Sequence, residues 1–202
     1  MIPLRPRSIA THMSTPARTG TLTHRVGDAT SLTEGIVAHI VSDCRAYGSG
    51  FVLAITKAFG GGPRDVHLHR PLYTLGTVDF VPVRDGRVWV ANMLAQCGFK
   101  SFANPHPLVL SKLRQCLAQV ALRARELGVT AVHMPRIGCD RGGGRWEEVE
   151  ALVRATLVAA GLDVTVWTEA HTKNKEWLKE AMKSEGALTS PPQDEEGEPD
   201  EP

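Results

Sequence analysis

Two short segments of this 202-residue chain carry glycines at a spacing that suits anion binding: Tyr47-Gly48-Ser49-Gly50-Phe51, and Ile137-Gly138-Cys139-Asp140-Arg141-Gly142-Gly143-Gly144-Arg145. Glycine has no side chain to block close approach. Successive backbone N–H groups can therefore converge on a ligand, and a following helix adds the positive end of its dipole. Two such loops suit a diphosphate. A single Gly-x-Gly is as readily a plain turn, but the four glycines of the second segment are harder to account for that way. The common nucleotide motifs do not fit. No G-x-x-x-x-G-K-[ST] occurs, and Gly48-x-Gly50 runs on to Leu53, where a dinucleotide fingerprint wants glycine or alanine.

Acid–base groups lie close to both loops. Asp140, inside the second loop, and then Asp43, just before the first, are the candidates for a general base that activates water. Each could equally be a solvated loop acid or a turn residue. Cys139 is a lone thiol with no evident histidine partner and reads as structural. His39 falls inside a strand pattern and reads as a packed, hydrogen-bonded sheet residue. His67 and His69 would need a third ligand to hold a metal, and none is evident, so neither a metal nor a cofactor is expected.

These loops require strands and helices to position them. Strand patterns cover Thr21–Val26, Gly35–Val41, Gly76–Val83, Arg87–Ala95, Val129–Met134 and Leu162–Thr168, with Asp85-Gly86 as a hairpin turn signal. Helical periodicity runs from Leu110 through Leu113, Leu117, Val120 and Ala124 to Leu127, with Gly128 at the C-cap position. A second helix is expected from Trp146 through Leu157 to Gly161, a shorter one from Phe51 to Phe59 ahead of Gly60-Gly61-Gly62, and a further one around Trp177 and Met182. Alternating strands and helices indicate an α/β sheet with helices on its faces.

With 42% hydrophobic and 22% charged residues, the chain suits one core with tails. Residues 1–19 read as a flexible leader, with Met13 as an alternative start, and 20–170 as the folded domain. Residues 171–186 follow as the C-terminal helical segment, and 187–202 as a disordered acidic tail: after Lys183 there are seven acidic residues and no basic one. A formal net charge of +1 and scattered basic residues argue against binding a nucleic-acid backbone, so no direct DNA contact is expected. No apolar run nears the roughly 20 residues of a membrane span. Four separated cysteines suggest thiols rather than a disulfide framework, and a cytoplasmic monomer is expected.

The strings PRIGCDRGGGRWEEV (135–149), VGDAT (26–30), SDCRAYGSGF (42–51) and ANMLAQ (91–96) resemble the macrodomain family. More narrowly, they resemble its branch of terminal ADP-ribose protein glycohydrolases and related bacterial proteins. The resemblance implies a mixed central sheet of about six strands, flanked by helices, with a ligand cleft at the strand ends. It implies that Asp28, with Ala29, meets the adenine end of ADP-ribose. Ser42, Gly48, Ser49, Gly50 and Phe51 would surround the distal ribose and diphosphate. Arg136, Ile137, Gly138, Cys139, Asp140, Arg141, Gly142 and Gly143 would form the second phosphate loop, and Trp167 would stack on the base. Without the family, Asp28 would read as a turn or cap residue and Trp167 as core.

In the glycohydrolase branch a lysine after the strand matching 87–95 attacks the distal ribose, assisted by an aspartate in the second glycine loop. Here Gln96 takes the lysine position, and an amide cannot act as an amine nucleophile. Lys100 stands four residues later and would need a different loop path to replace it, while Gly143 stands where the family has its acid. The expected function is ADP-ribose binding with hydrolysis of ester-type linkages, either in mono-ADP-ribosylated proteins or in O-acetyl-ADP-ribose. The alternative is a reader that binds ADP-ribose on modified partners without turnover.

Overall fold

The computed structural model describes residues 18–189. Its sheet has six strands: β1 (Leu22–Val26), β2 (Gly35–Ser42), β3 (Val78–Val83), β4 (Val88–Gln96), β5 (Ala131–Pro135) and β6 (Asp163–Thr168), in the order β1-β6-β5-β2-β4-β3. All neighbouring pairs are parallel except β3 with β4, which meet through the expected turn at Asp85-Gly86. The five parallel strands therefore end on one edge of the sheet. The helices are α1 (Val52–Phe59), α2 (Gly62–His69), α3 (Leu110–Leu127), α4 (Trp146–Val153) and α5 (Lys175–Thr189).

Side chains alternate along a strand, so β2 and β4, covered on both faces, are largely apolar on both, with His39 and Asn92 as buried polar exceptions. Ile36 and Ala38 join Ala91, Met93 and Ala95 beneath α3 and α4. Val37 and Val41 join Val88, Val90 and Leu94 beneath α1 and α2. On α3 the periodic stripe Leu113, Leu117, Val120 and Ala124 is fully buried, and Gly128 ends the helix in the left-handed region, its N–H reaching the Ala124 and Arg125 carbonyls.

The structure departs from the sequence reading in several places. Gly61-Gly62 does not merely close α1 but opens α2, a helix with no apolar periodicity whose signals are Pro63 and Asp65 in its first turn. On that helix His67 turns inward and His69 outward, as residues two apart must, so they cannot chelate one ion. The helix starting at Trp146 stops at Val153 and passes into a π turn over Arg154–Val158, where the Thr156 hydroxyl takes the Leu152 carbonyl (2.6 Å). α5 runs to Thr189, past the expected boundary at 186. Arg18, expected in the leader, donates to the Gly161 carbonyl (2.6 Å) and pairs with Asp163. The rest of the leader, 1–17, and the tail from 190 onward lie outside the described residues. Among the described residues, no helix is long and apolar enough to cross a membrane.

A buried polar cluster lies on the α1–α2 face. Asn92 donates its amide hydrogen to the Pro63 carbonyl (2.8 Å), which leaves its oxygen as acceptor for His39 Nε2 (2.6 Å) and the Tyr47 hydroxyl (3.2 Å). His39 is thereby held as the Nε2–H tautomer. His67 is fully buried, and neither of its ring nitrogens has a hydrogen-bond partner among the described residues. Burial pushes both imidazoles down to about 4 from 6.5. Both are neutral in the folded protein at pH 7, whereas the unfolded chain takes up protons below 6.5. Stability is therefore present above that pH and is lost as pH falls toward 4, with His39 alone costing about 3 kcal/mol by the end of that interval. The thermal midpoint should fall steadily across this window, and His67→Leu should flatten the fall. A midpoint in the native chain that stays constant from pH 6.5 to 4.5 would contradict this account.

Candidate functional site

A cleft of about 580 Å³ opens over the carboxyl ends of the parallel strands, the place where open α/β sheets hold ligands. The segment after β1 supplies Gly27, Asp28 and Ala29, the end of β2 supplies Ser42, and the end of β4 supplies Gln96. The first glycine loop contributes Gly48, Ser49, Gly50 and Phe51 and feeds straight into α1. No side chain caps α1; in its first turn the Leu53 N–H donates to the Gly50 carbonyl (3.1 Å) and the Ile55 N–H to the Phe51 carbonyl (3.1 Å), and the positive end of the helix dipole faces the loop.

The second loop follows β5 and contributes Arg136, Ile137, Gly138, Asp140, Arg141 and Gly142. Its glycines are demanded by the loop's own packing. Gly138 has φ +74°, and a Cβ there would lie 2.8 Å from Leu108 Cδ2. A Cβ on Gly142 would lie 2.5 Å from the Gly138 carbonyl oxygen. Backbone bonds from Gly144 N to Gly138 O (2.9 Å) and from Leu108 N to Gly142 O (3.0 Å) hold this compact shape. Arg141 reaches across to the first loop, its side chain 3.2 Å from where a Gly50 Cβ would sit, so the two loops form one cradle.

Three residues expected at the site do not line the cleft. Asp43 turns away, its carboxylate accepting from the Gly98 N–H (2.7 Å) and so tying the loop after β2 to the loop after β4. Cys139 tucks under its own loop against the Ile137 carbonyl (3.4 Å), and burial pushes its thiol up to about 12, which rules it out as a nucleophile at neutral pH. Gly143 faces the segment at Pro105 and His106, and its carbonyl accepts from His106 Nδ1 (2.7 Å).

Asp28 lines the cleft and also caps the 3-10 turn Ala29–Ser31, accepting from Thr30 N and Oγ1, both at 2.8 Å. A carboxylate has about four acceptor sites, so this capping leaves it able to accept from a ligand. Trp167 is half-buried, held by its Nε1 donating to His133 Nδ1 (3.0 Å) and by packing across Gly27, where a Cβ would meet the ring at 2.8 Å. Arg136 lies on the cleft wall, but its guanidinium pairs with Glu180 of α5.

Sequence reasoning missed the loop after β4. Gln96 donates from Nε2 to the Gly98 carbonyl (3.0 Å), and the loop it folds back brings Phe99 and Lys100 into the cleft. Lys100 Nζ donates to the backbone oxygen of Asp140 (3.3 Å). Gln96 thus anchors the loop that delivers Lys100 to the backbone of Asp140. Trp177 of α5 was also missed as a lining residue. Among the described residues, His24, Glu150 and Glu180 have ligand atoms within 4.8 Å of one another, yet Arg154 and Arg136 already neutralise the two carboxylates.

Fold and cleft define an α/β module with a site walled by two glycine loops at the carboxyl edge of its sheet. No family model matches the sequence. It is similar to ADP-ribose glycohydrolase OARD1 of Bos taurus, at 29% identity over 73% of this chain and 91% of that protein. A protein of unknown function from Bacteroides thetaiotaomicron is 35% identical over 74% of this chain and 98% of its own, with a TM-score of 0.68. The macrodomain of Thermus aquaticus DarG matches in fold, with 21% identity, a TM-score of 0.60 and coverage of 74% and 99%. The chain has the fold of the macrodomains.

Proposed function

We propose that this protein binds ADP-ribose in the cleft and hydrolyses an ester-type bond at the distal ribose. The substrate would be a mono-ADP-ribosylated protein or O-acetyl-ADP-ribose. The observation that carries this reading is the pair of glycine loops meeting over the strand ends, with Asp140 and Lys100 side by side at their rim. The kinship with OARD1, an ADP-ribose glycohydrolase, points the same way.

In this reading the diphosphate lies against the backbone of the two loops, whose N–H groups supply hydrogen bonds while the N-terminus of α1 behind the first loop supplies dipole charge. Asp28 and Trp167 hold the adenine at the β1–β6 end of the cleft. Asp140 is the general base that takes a proton from the attacking water. The Lys100 ammonium beside it offsets negative charge developing on the ester oxygen or on the departing carboxylate. Gln96 acts by holding the Lys100 loop in place. Asp43, behind the wall, has no part in the chemistry.

The second reading, a reader without turnover, is favoured by Gln96 in place of the family's lysine. Incubating the protein with O-acetyl-ADP-ribose and with mono-ADP-ribosylated protein separates the two. Release of free acetate or of unmodified protein above background supports the enzyme. ADP-ribose affinity without release of either supports the reader.

A further inference from the structure

We propose that the loop after β4 is a docking surface for a polypeptide: Phe102, with Phe99 beside it, holds apolar side chains that flank the modified residue of a protein carrying ADP-ribose. The inference rests on the reading of the cleft as an ADP-ribose site and extends it past the distal ribose, to the chain attached there.

The loop has a fixed shape. Ser101 N donates to the Asn104 carbonyl (3.0 Å) and Asn104 N to the Ser101 carbonyl (3.2 Å), closing a tight turn that carries Phe102. The Asn104 amide donates to the Cys97 and Phe99 carbonyls (2.9 and 3.3 Å), which ties the turn to the start of its own loop. His106 Nδ1 donates to the Gly143 carbonyl (2.7 Å) and ties its end to the second glycine loop. On this braced turn Phe102 is fully exposed. Phe99 is more than half exposed and lines the cleft, as does Leu53 on α1.

Single exposed hydrophobic residues are ordinary, and only their placement gives them meaning. Phe99 and Phe102 bracket Lys100, whose ammonium reaches the Asp140 carbonyl (3.3 Å). Whatever is joined to the distal ribose beside Asp140 therefore leaves the cleft along this loop. The charge there selects the kind of partner, because a nucleic-acid strand is held by several cations free to meet phosphates. Residues 97–106 contain one Lys or Arg, Lys100, which already donates to Asp140. Nearby, Arg145 is paired with Glu147, and Arg141 is turned to the first loop at Gly50. An apolar platform with one engaged cation fits a polypeptide, whose hydrophobic side chains leave water on meeting a phenyl ring. An acetyl ester ends at a methyl group and gives Phe102 nothing to hold.

The test is a binding titration of the full chain carrying Asp140→Ala, so that the ester is not consumed. The probes are free ADP-ribose and two synthetic peptides bearing ADP-ribose on a glutamate, one flanked by leucines and the other by glycines and serines. The leucine-flanked peptide should bind about tenfold more tightly than its counterpart, the gain from burying apolar surface on a phenyl ring. Phe102→Ser should erase this preference and leave both free ADP-ribose affinity and the thermal midpoint unchanged, since the ring touches neither the cleft nor the core. A preference below about twofold, or one that survives Phe102→Ser, would overturn the proposal. So would a single-stranded oligonucleotide bearing ADP-ribose that binds more tightly than the leucine-flanked peptide and loses that advantage in Phe102→Ser. A chain that binds none of the probes, free ADP-ribose included, would instead remove the reading of the cleft on which the proposal rests.

Discussion

Gly142→Ala is expected to weaken ADP-ribose binding by about a hundredfold or more. The added Cβ would sit 2.5 Å from the Gly138 carbonyl oxygen and 2.9 Å from the Gly138 Cα, both backbone atoms that cannot swing aside. The second loop must open to admit it. Opening breaks the Gly144–Gly138 and Leu108–Gly142 backbone bonds that shape the loop, and with them the arrangement of N–H groups that the proposed diphosphate contacts need. Hydrogen bonds to a charged group contribute about 1.5–3 kcal/mol each, so losing two reaches the hundredfold level. The loop lies at the rim, so the folded protein should survive with a lowered thermal midpoint. Calorimetry beside a thermal scan checks both parts, and an affinity within threefold of wild type would show that the loop does not cradle the ligand.

Asp140→Ala is expected to lower turnover by about a thousandfold, the contribution of a positioned base, while ADP-ribose affinity stays within a few-fold. Lys100→Ala should lower kcat by about a hundredfold, as removal of one charge-stabilising donor does. Gln96→Ala should cost less than either, since it only loosens the Gly98 contact that folds the Lys100 loop back. Steady-state kinetics on O-acetyl-ADP-ribose and on modified protein would reveal this ranking. Turnover that survives Asp140→Ala intact would remove Asp140 from the chemistry, and an effect of Gln96→Ala exceeding that of Lys100→Ala would give the amide a direct role.

The parts of this site that were legible in the sequence are those written in local chemistry. Gly138 and Gly142 announce a loop in which no side chain can be tolerated, and the loop's backbone contacts show why. Leu113, Leu117 and Val120 announce α3 because a helix must turn one face to the core. The Asp85-Gly86 turn is equally local. What the sequence did not reveal depends on how the chain returns upon itself. Lys100 stands too far along the chain by residue count alone, because counting takes no account of the fold-back held by Gln96 and by Asn104, whose amide donates to the Cys97 carbonyl (2.9 Å). Asp43 looked available because nothing local says that Gly98 claims its carboxylate. Gly143 faces a segment more than thirty positions earlier, a contact without local signature. α2 escaped notice because Gly62–His69 packs by way of Pro63 and His67 rather than by a periodic apolar stripe. Trp177 lies on an element marked in the sequence, but that it lines the cleft depends on how α5 docks along β1 through Ser184 and Glu185, a long-range contact without local signature.

The most direct measurement is the titration of the wild-type chain with free ADP-ribose, with Asp28→Ala alongside. A dissociation constant in the micromolar range, about −8 kcal/mol, is expected, with a clear weakening when the Asp28 carboxylate is removed. A chain that gives neither heat nor a thermal shift at millimolar ADP-ribose would contradict the central claim that the cleft is an ADP-ribose site.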